Sequence, residues 1–186
     1  MLARLARRTQ ATRNEIQAHI RSAAFVHMDE TGWRQDGAAH WGWLAGTPWA
    51  SLFHIDPSRS RKVVNALLGD DFVGVLITDF YSAYTSDPSQ DHQWDWAHLI
   101  REAKKIAELD GKRRPTEFRD RLRALHEAAL VAQATQEASA KRGIRVRFGK
   151  LVHDADLRKH GEVHRLQHRM WLHTHGLLRF LDDPTL

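Results

Sequence analysis

Phe72 to Asp79, read as FVGVLITD, restricts the fold more than any other stretch of this chain. It is nearly continuously apolar, which is what a strand covered on both faces needs, and such strands sit inside sheets with helices packed against them. It also ends in a carboxylate. A second apolar run, Phe25 to Asp29, ends the same way in FVHMDETGW, and there Asp29 is followed at once by Glu30. A carboxylate costs several kcal/mol to bury unless it is paired or bound to metal. Either these strands simply surface at their acids, or the acids are held at the end of rigid strands for a purpose. If the two strands are parallel neighbours, Asp29 and Asp79 emerge together at the carboxyl edge, where open α/β sheets place their sites. Glu30 points to the opposite face of its strand, so local structural support is its expected job.

The rest of the first half supports a sheet. HWGWLAG (His40 to Gly46) and ASLFHID (Ala50 to Asp56) are aromatic-rich runs joined by turn formers, so residues 25 to 56 read as an antiparallel meander. Asp56 followed by Pro57 reads as a helix start, and Val63, Val64, Leu67 and Leu68 form the apolar side of a helix ending at Gly69. That helix is a crossover into the strand ending at Asp79. HQWDWAH leads into a helix through Leu109. Before the sheet, Leu2, Leu5, Ile16 and Ile20 mark an amphipathic helix to Arg21. In the second half, Phe118, Leu122, Leu125, Ala129 and Ala132 predict a helix from Thr116 to about Ala140, closed by Gly143. Val163, Leu166, Met170, Leu177 and Leu181 predict a last helix, and the intervening IRVRFGKLVHD is ambiguous. The expected division is an N-terminal helix over 1–22, a mixed α/β core over 23–112, and a helical extension packed on it over 113–186.

Composition narrows the chemistry. The 186 residues contain no Cys, which removes disulfides and thiolate zinc sites. No run approaches the roughly 20 apolar residues of a membrane span, so a soluble, unexported chain is expected. A net charge of +5 suits a polyanionic partner. Two aspartates at strand ends suit Mg²⁺ or Mn²⁺ and phosphoryl transfer, since such ions take a few carboxylate oxygens and leave positions for phosphate and water. Arg59, Arg61, Lys104, Lys105, Arg113 and Arg114 are candidate contacts to DNA phosphates or, equally, solvated surface charges. Trp33, Trp41 and Trp43 either stack on a base or pack on the sheet. His160, His164 and His168 fall at i, i+4 and i+8, a zinc grip or a plain surface face; HGEVH is not the metalloprotease motif, because Glu162 is misplaced by one.

HMDETGWRQDGAAHWGW, DPSRSRKVVNALLGDDFVGVLITDFYSAY and WAHLIREAKK, in that order and spacing, resemble the core of transposases of the bacterial insertion-sequence sixty-six family. The resemblance runs from about Leu2 to Leu186. It implies a DDE enzyme with a ribonuclease-H-like fold, a mixed sheet of antiparallel meander plus parallel strands flanked by helices, with a C-terminal helical region. It places the first two catalytic, metal-binding acids at Asp29 and Asp79, and His98 near the catalytic edge. It makes Glu30, Arg59 and Arg61 further candidates for substrate positioning. Its implied partners are DNA (element ends and target) and further copies of the chain in a synaptic complex, in a bacterial cytoplasm at the nucleoid. Two departures stand out. Asp95 occupies a position where the family usually has Cys. No Asn-Asn pair occurs in the 186 residues, so the Asn-Asn-x-x-Glu motif bearing the third acid is not among them; Glu102 and Glu162 are the visible substitutes. The family's zinc-binding N-terminal region is also not among them. The expectation is a transposase core that is inactive by itself. The alternatives are a non-catalytic DNA-binding or assembly remnant and, more remotely, a zinc hydrolase.

Overall fold

In the computed structural model, which describes residues 2–86 and 90–186 and only the backbone of 2–7, the strands are Phe25–Gln35 (β1), Ala38–Gly46 (β2), Ser51–Asp56 (β3), Val75–Thr78 (β4) and His92–Trp94 (β5). The side chains of Leu2 and Leu5, two of the four expected apolar positions of the first helix, lie outside the described residues. The sheet order is β3-β2-β1-β4-β5, antiparallel between β1, β2 and β3 and parallel between β1 and β4. This mixed α/β sheet flanked by helices is consistent with a ribonuclease-H-like fold. β1 and β2 meet through a two-residue turn, Asp36 and Gly37, both at positive φ (50° and 82°), the combination whose twist matches a hairpin. Asp-Gly is a residue pair that such a turn favours.

The chain divides into two compact units, Met1–His92 and Gln93–Leu186. In the first, helix α1 (Leu2–Arg21) is pinned to α2 (Arg61–Leu68): Gln17 Nε2 donates to the carbonyls of Ala66 and Leu67, and Arg21 donates to the same two. These are the orphan carbonyls of the last helical turn, where a cation is also favoured by the helix dipole. Ile20, Val26, Met28, Trp43, Leu67, Leu76 and Tyr84 fill the core between helices and sheet. Gly74 is required at the entrance to β4, because a Cβ there would meet the Ala23 carbonyl oxygen at 2.5 Å. Helix α2 starts at Ser60, not at Asp56. Asp56 is instead the last residue of β3, opposite Trp41, and its carboxylate accepts the Ser58 N–H at 2.7 Å to turn the chain. The ladder outcompetes the local helix signal.

The second unit holds α4 (Trp96–Asp110), α5 (Arg113–Thr135), α6 (Ala138–Val152), α7 (Gly161–Leu172) and α8 (Thr174–Leu178), while α3 (Ser82–Thr85) belongs to the first. Phe118, Leu122, Leu125, Phe148, Leu166 and Met170 are among its buried side chains, with Trp96 stacked on His126 at 5.1 Å. The expected single helix to Ala140 ends early. Gln136, at φ 56°, takes the left-handed position that stops α5, and Gly143 lies inside α6. The ambiguous IRVRFGKLVHD is therefore mostly helix, and the expected last helix is broken at His173.

Candidate active site

The parallel pairing of β1 and β4 sets Phe25 opposite Val75, Val26 opposite Leu76 and His27 opposite Ile77. The ladder stops at His27 and Ile77; carried two residues further, the same offset sets Asp29 against Asp79, the first residue after β4. Neighbouring strands run about 4.8 Å apart, which sets the scale of the separation along that line. Each carboxylate is oriented by a backbone amide: Asp29 Oδ1 accepts the Glu30 N–H at 2.9 Å, and Asp79 Oδ1 accepts the Tyr81 N–H at 2.8 Å. Among the described residues no protein donor reaches either Oδ2. Two oriented carboxylates with an oxygen to spare are a suitable donor set for Mg²⁺ or Mn²⁺. Among the described residues no group of three His, Asp or Glu side chains has metal-binding geometry.

Glu30 turns the other way, onto the face of Met28 and Val26. Its side chain is only 2% exposed and is fully occupied. Arg59 donates to its Oε1 through Nε at 2.9 Å and Nη2 at 2.5 Å, and the Tyr84 hydroxyl donates to Oε2. The Arg59 guanidinium lies over the rings of Tyr81 (3.7 Å) and Trp41 (4.5 Å), and the Tyr81 hydroxyl donates to the Arg59 carbonyl at 2.7 Å. Tyr84 stands edge-on to both Trp43 and Tyr81. Burial, then the hydrogen bond to Glu30, then the charges of Glu30, Asp79 and Asp29 push the Tyr84 hydroxyl far above the usual tyrosine range, so it stays a neutral donor. Burial works to lower the Arg59 pKa, but Glu30 outweighs it and the guanidinium is held more firmly protonated. This network ties the β1 residues beside Asp29 to the turn that follows Asp79. Arg59, a candidate phosphate contact or surface charge, is engaged by Glu30, and Trp41, a candidate for stacking on a base or packing on the sheet, lies under its guanidinium. The roles of Tyr81 and Tyr84 were missed, although both belong to the TDFYSAY motif that suggested the family.

A family model described as Transposase IS66 family matches residues 1–186. The chain belongs to the IS66 transposase family. No curated protein and no solved structure matches it. Transposases of this family act on DNA and generally use a divalent metal. Among the described residues no helix of this transposase is long and apolar enough to cross a membrane.

The remaining candidates are placed as follows in this IS66 transposase. Arg61 donates to Asn65 Oδ1 at 2.7 Å. His98 is in the helical unit, in the first turn of α4, with Nδ1 on Asp95 Oδ2; Asp95 Oδ1 caps the helix by accepting the Ala97 N–H at 2.7 Å. The Asp that departs from the family's Cys thus acts as an N-cap. Lys104 faces Glu108 at 3.7 Å and Lys105 is exposed. Arg113 and Arg114 are both paired with Asp156, at 2.5 and 3.1 Å. Glu102 is held by Arg169 at 2.6 Å, not by its lysine neighbours, and Glu162 by Arg165. His160 is separated from the proposed histidine row: it is the N-cap of α7, with Nε2 on Asp110 Oδ2 at 3.0 Å.

Proposed function

We propose that Asp29 and Asp79 are the first two metal-binding acids of a DNA strand-cleaving and strand-joining site in this transposase. The observation that supports the reading is the parallel β1–β4 register, whose offset of 50, carried two residues past the last paired position, sets Asp29 against Asp79. When bound there, Mg²⁺ or Mn²⁺ supplies activation of the attacking oxygen and stabilisation of the leaving one. The chain's own part is to hold the two carboxylates at fixed spacing: each has one oxygen tied to a backbone amide, and Glu30, Arg59 and the tyrosines brace the elements that carry them. The working partners are element-end and target DNA in the bacterial cytoplasm, with several copies assembled on the ends.

The 186 residues supply two of the family's three acids, and with Glu102 and Glu162 each on an arginine, this polypeptide by itself is inactive in strand cleavage. Loss of one positioned electrostatic group costs about 10²–10³ in rate. Mn²⁺ binding followed by electron paramagnetic resonance tests the site: wild type binds, and Asp29→Ala and Asp79→Ala each weaken binding by at least about tenfold. Binding unaffected by either change overturns the assignment. A nicking assay on an element-end duplex tests the second point. The chain alone stays inactive, whereas a longer chain bearing the Asn-Asn-x-x-Glu motif cleaves and loses activity with Asp79→Ala. Cleavage by the 186 residues that Asp79→Ala abolishes assigns the third acid to a residue within them.

A second reading, DNA binding or assembly without cleavage, rests on charge. The helical unit carries 19 Lys+Arg against 13 Asp+Glu, while the sheet unit carries 9 against 10. The two readings part on Mn²⁺, which the second does not require.

A further inference from the structure

The basic excess of the helical unit is not spread evenly over its helices. Most of its arginines are spent on acids: Arg113 and Arg114 on Asp156, Arg121 on Asp154, Arg123 on Glu127, Arg169 on Glu102. Helix α6 differs. Its sequence, ASAKRGIRVRFGKLV, holds five basic residues and no acid. Ile144, Phe148, Leu151 and Val152 turn inward, leaving Arg142, Arg145, Arg147 and Lys150 exposed around the other side. Arg145 is held by Asp182 at 2.6 Å. Among the described residues Arg142, Arg147 and Lys150 have no acidic partner.

The same outward side carries Gly143, and Gly149 lies half-buried at its edge. Both have ordinary helical backbone, and a Cβ built on either would meet nothing within 4 Å. Neither packing nor backbone conformation demands a glycine there, and glycine inside a helix destabilises it relative to alanine. By 3.6-residue periodicity Gly143 lies one turn from Arg147 and two from Lys150, and Gly149 lies one turn from Arg145 and two from Arg142. A helix face of unpaired cations with side-chain-free gaps between them suits a partner that is uniformly anionic, rigid, and able to approach the helix backbone.

We propose that the outer face of α6 is a docking surface for the phosphate backbone of duplex DNA, with Arg142, Arg147 and Lys150 as contacts and Gly143 and Gly149 as the places where the strand comes closest. This deepens the reading above, on which it rests for the identity of the polyanion. It also moves the phosphate contacts away from Arg113 and Arg114, whose guanidiniums are already engaged by Asp156. Contacts of this kind position a duplex without reading its sequence.

The test uses the whole chain and a labelled duplex of arbitrary sequence, with affinity followed by anisotropy against salt. The triple variant Arg142→Gln/Arg147→Gln/Lys150→Gln is compared with Lys104→Gln/Lys105→Gln/Arg123→Gln, which removes equal charge from α4 and α5. Each phosphate contact adds about 0.9 to the log–log salt slope, so the α6 triple is expected to flatten it by about 2.7. That is about 40-fold less loss of affinity between about 50 and 200 mM salt. The other triple is expected to change the slope by less than one such contact. Equal effects of the two triples, or no binding by wild type at low salt, overturn the inference. Gly143→Gln/Gly149→Gln provides a readout that a purely structural role does not move: the unfolding midpoint holds or rises while DNA binding weakens. Unchanged DNA binding in that variant overturns the inference. Mn²⁺ binding at Asp29 and Asp79 is measured on the same proteins, so failure of the metal site and failure of the α6 surface are separately visible.

Discussion

In the sheet unit a single carboxylate, Glu30, is 2% exposed and held by one arginine and one tyrosine, whereas in the helical unit Asp156 is 43% exposed and held by three cations, Arg113, Arg114 and Lys159. By number of partners Asp156 is the better served, and its pKa is pushed far below the ordinary carboxylate range by those hydrogen bonds. Yet the energetic weight runs the other way. Water screens the exposed cluster and can replace any lost partner. Nothing replaces a partner of Glu30, because the charge left behind is already out of water. What matters is how costly it is to leave a group alone, which depends on burial.

The largest expected effect is therefore on Arg59. Arg59→Met leaves Glu30 buried and unpaired, and urea unfolding is expected to show a loss of about 3 kcal/mol. The double variant Glu30→Gln/Arg59→Met recovers most of it; failure to recover would show that Arg59 stabilises mainly through its stacking on Trp41 and Tyr81. Tyr84→Phe deletes one donor to the same carboxylate and is expected to cost about 1–3 kcal/mol by the same measurement.

Smaller is the pH response of the helical unit. His126, stacked on Trp96, and His173 both have pKa values lowered below 6.5, first of all by burial. The unfolded chain takes up these protons as pH falls through 6.5 while the folded chain resists them, so stability is full above that value and declines toward the lowered folded values. His126→Gln is expected to flatten the decline in unfolding midpoint between pH 7 and 5; an undiminished decline would place the titration elsewhere. Smallest of all, Asp156→Asn is expected to leave the urea midpoint unresolved from wild type at physiological salt. A marked drop there would break the contrast between the two clusters.

The sheet was largely legible in the sequence, because alternation and apolar runs are local signals. The parallel placement of β1 and β4 follows from two apolar runs joined by a crossover helix, but β1 does not end at Asp29 as expected: pairing with β2 carries it on to Gln35. The Asp36–Gly37 hairpin carries an equally local signal. What the sequence withheld were choices made by distant partners. Asp56 and Pro57 carry a good helix start, but the pairing of Asp56 with Trp41 holds the strand. Arg59 reads as a surface cation until Glu30, 29 positions earlier, is folded against it. The break at Gln136 has no glycine or proline to announce it. Helix α6 was hidden because its basic face and its two glycines obscure the apolar period of Ile144, Phe148 and Leu151.

The adjacency of Asp29 and Glu30 on opposite faces of β1 has a consequence for folding fidelity. A slip of β1 by one residue turns every side chain to the other face. Asp29 would then enter the core with a shorter side chain, ill placed to reach Arg59 and Tyr84, and Glu30 would emerge in its place. An error of one position thus strands a charge in the core, which is strongly unfavourable. The dipeptide works as a register check: the arrangement that leaves Asp29 on the open face is also the one that lets β1 fold.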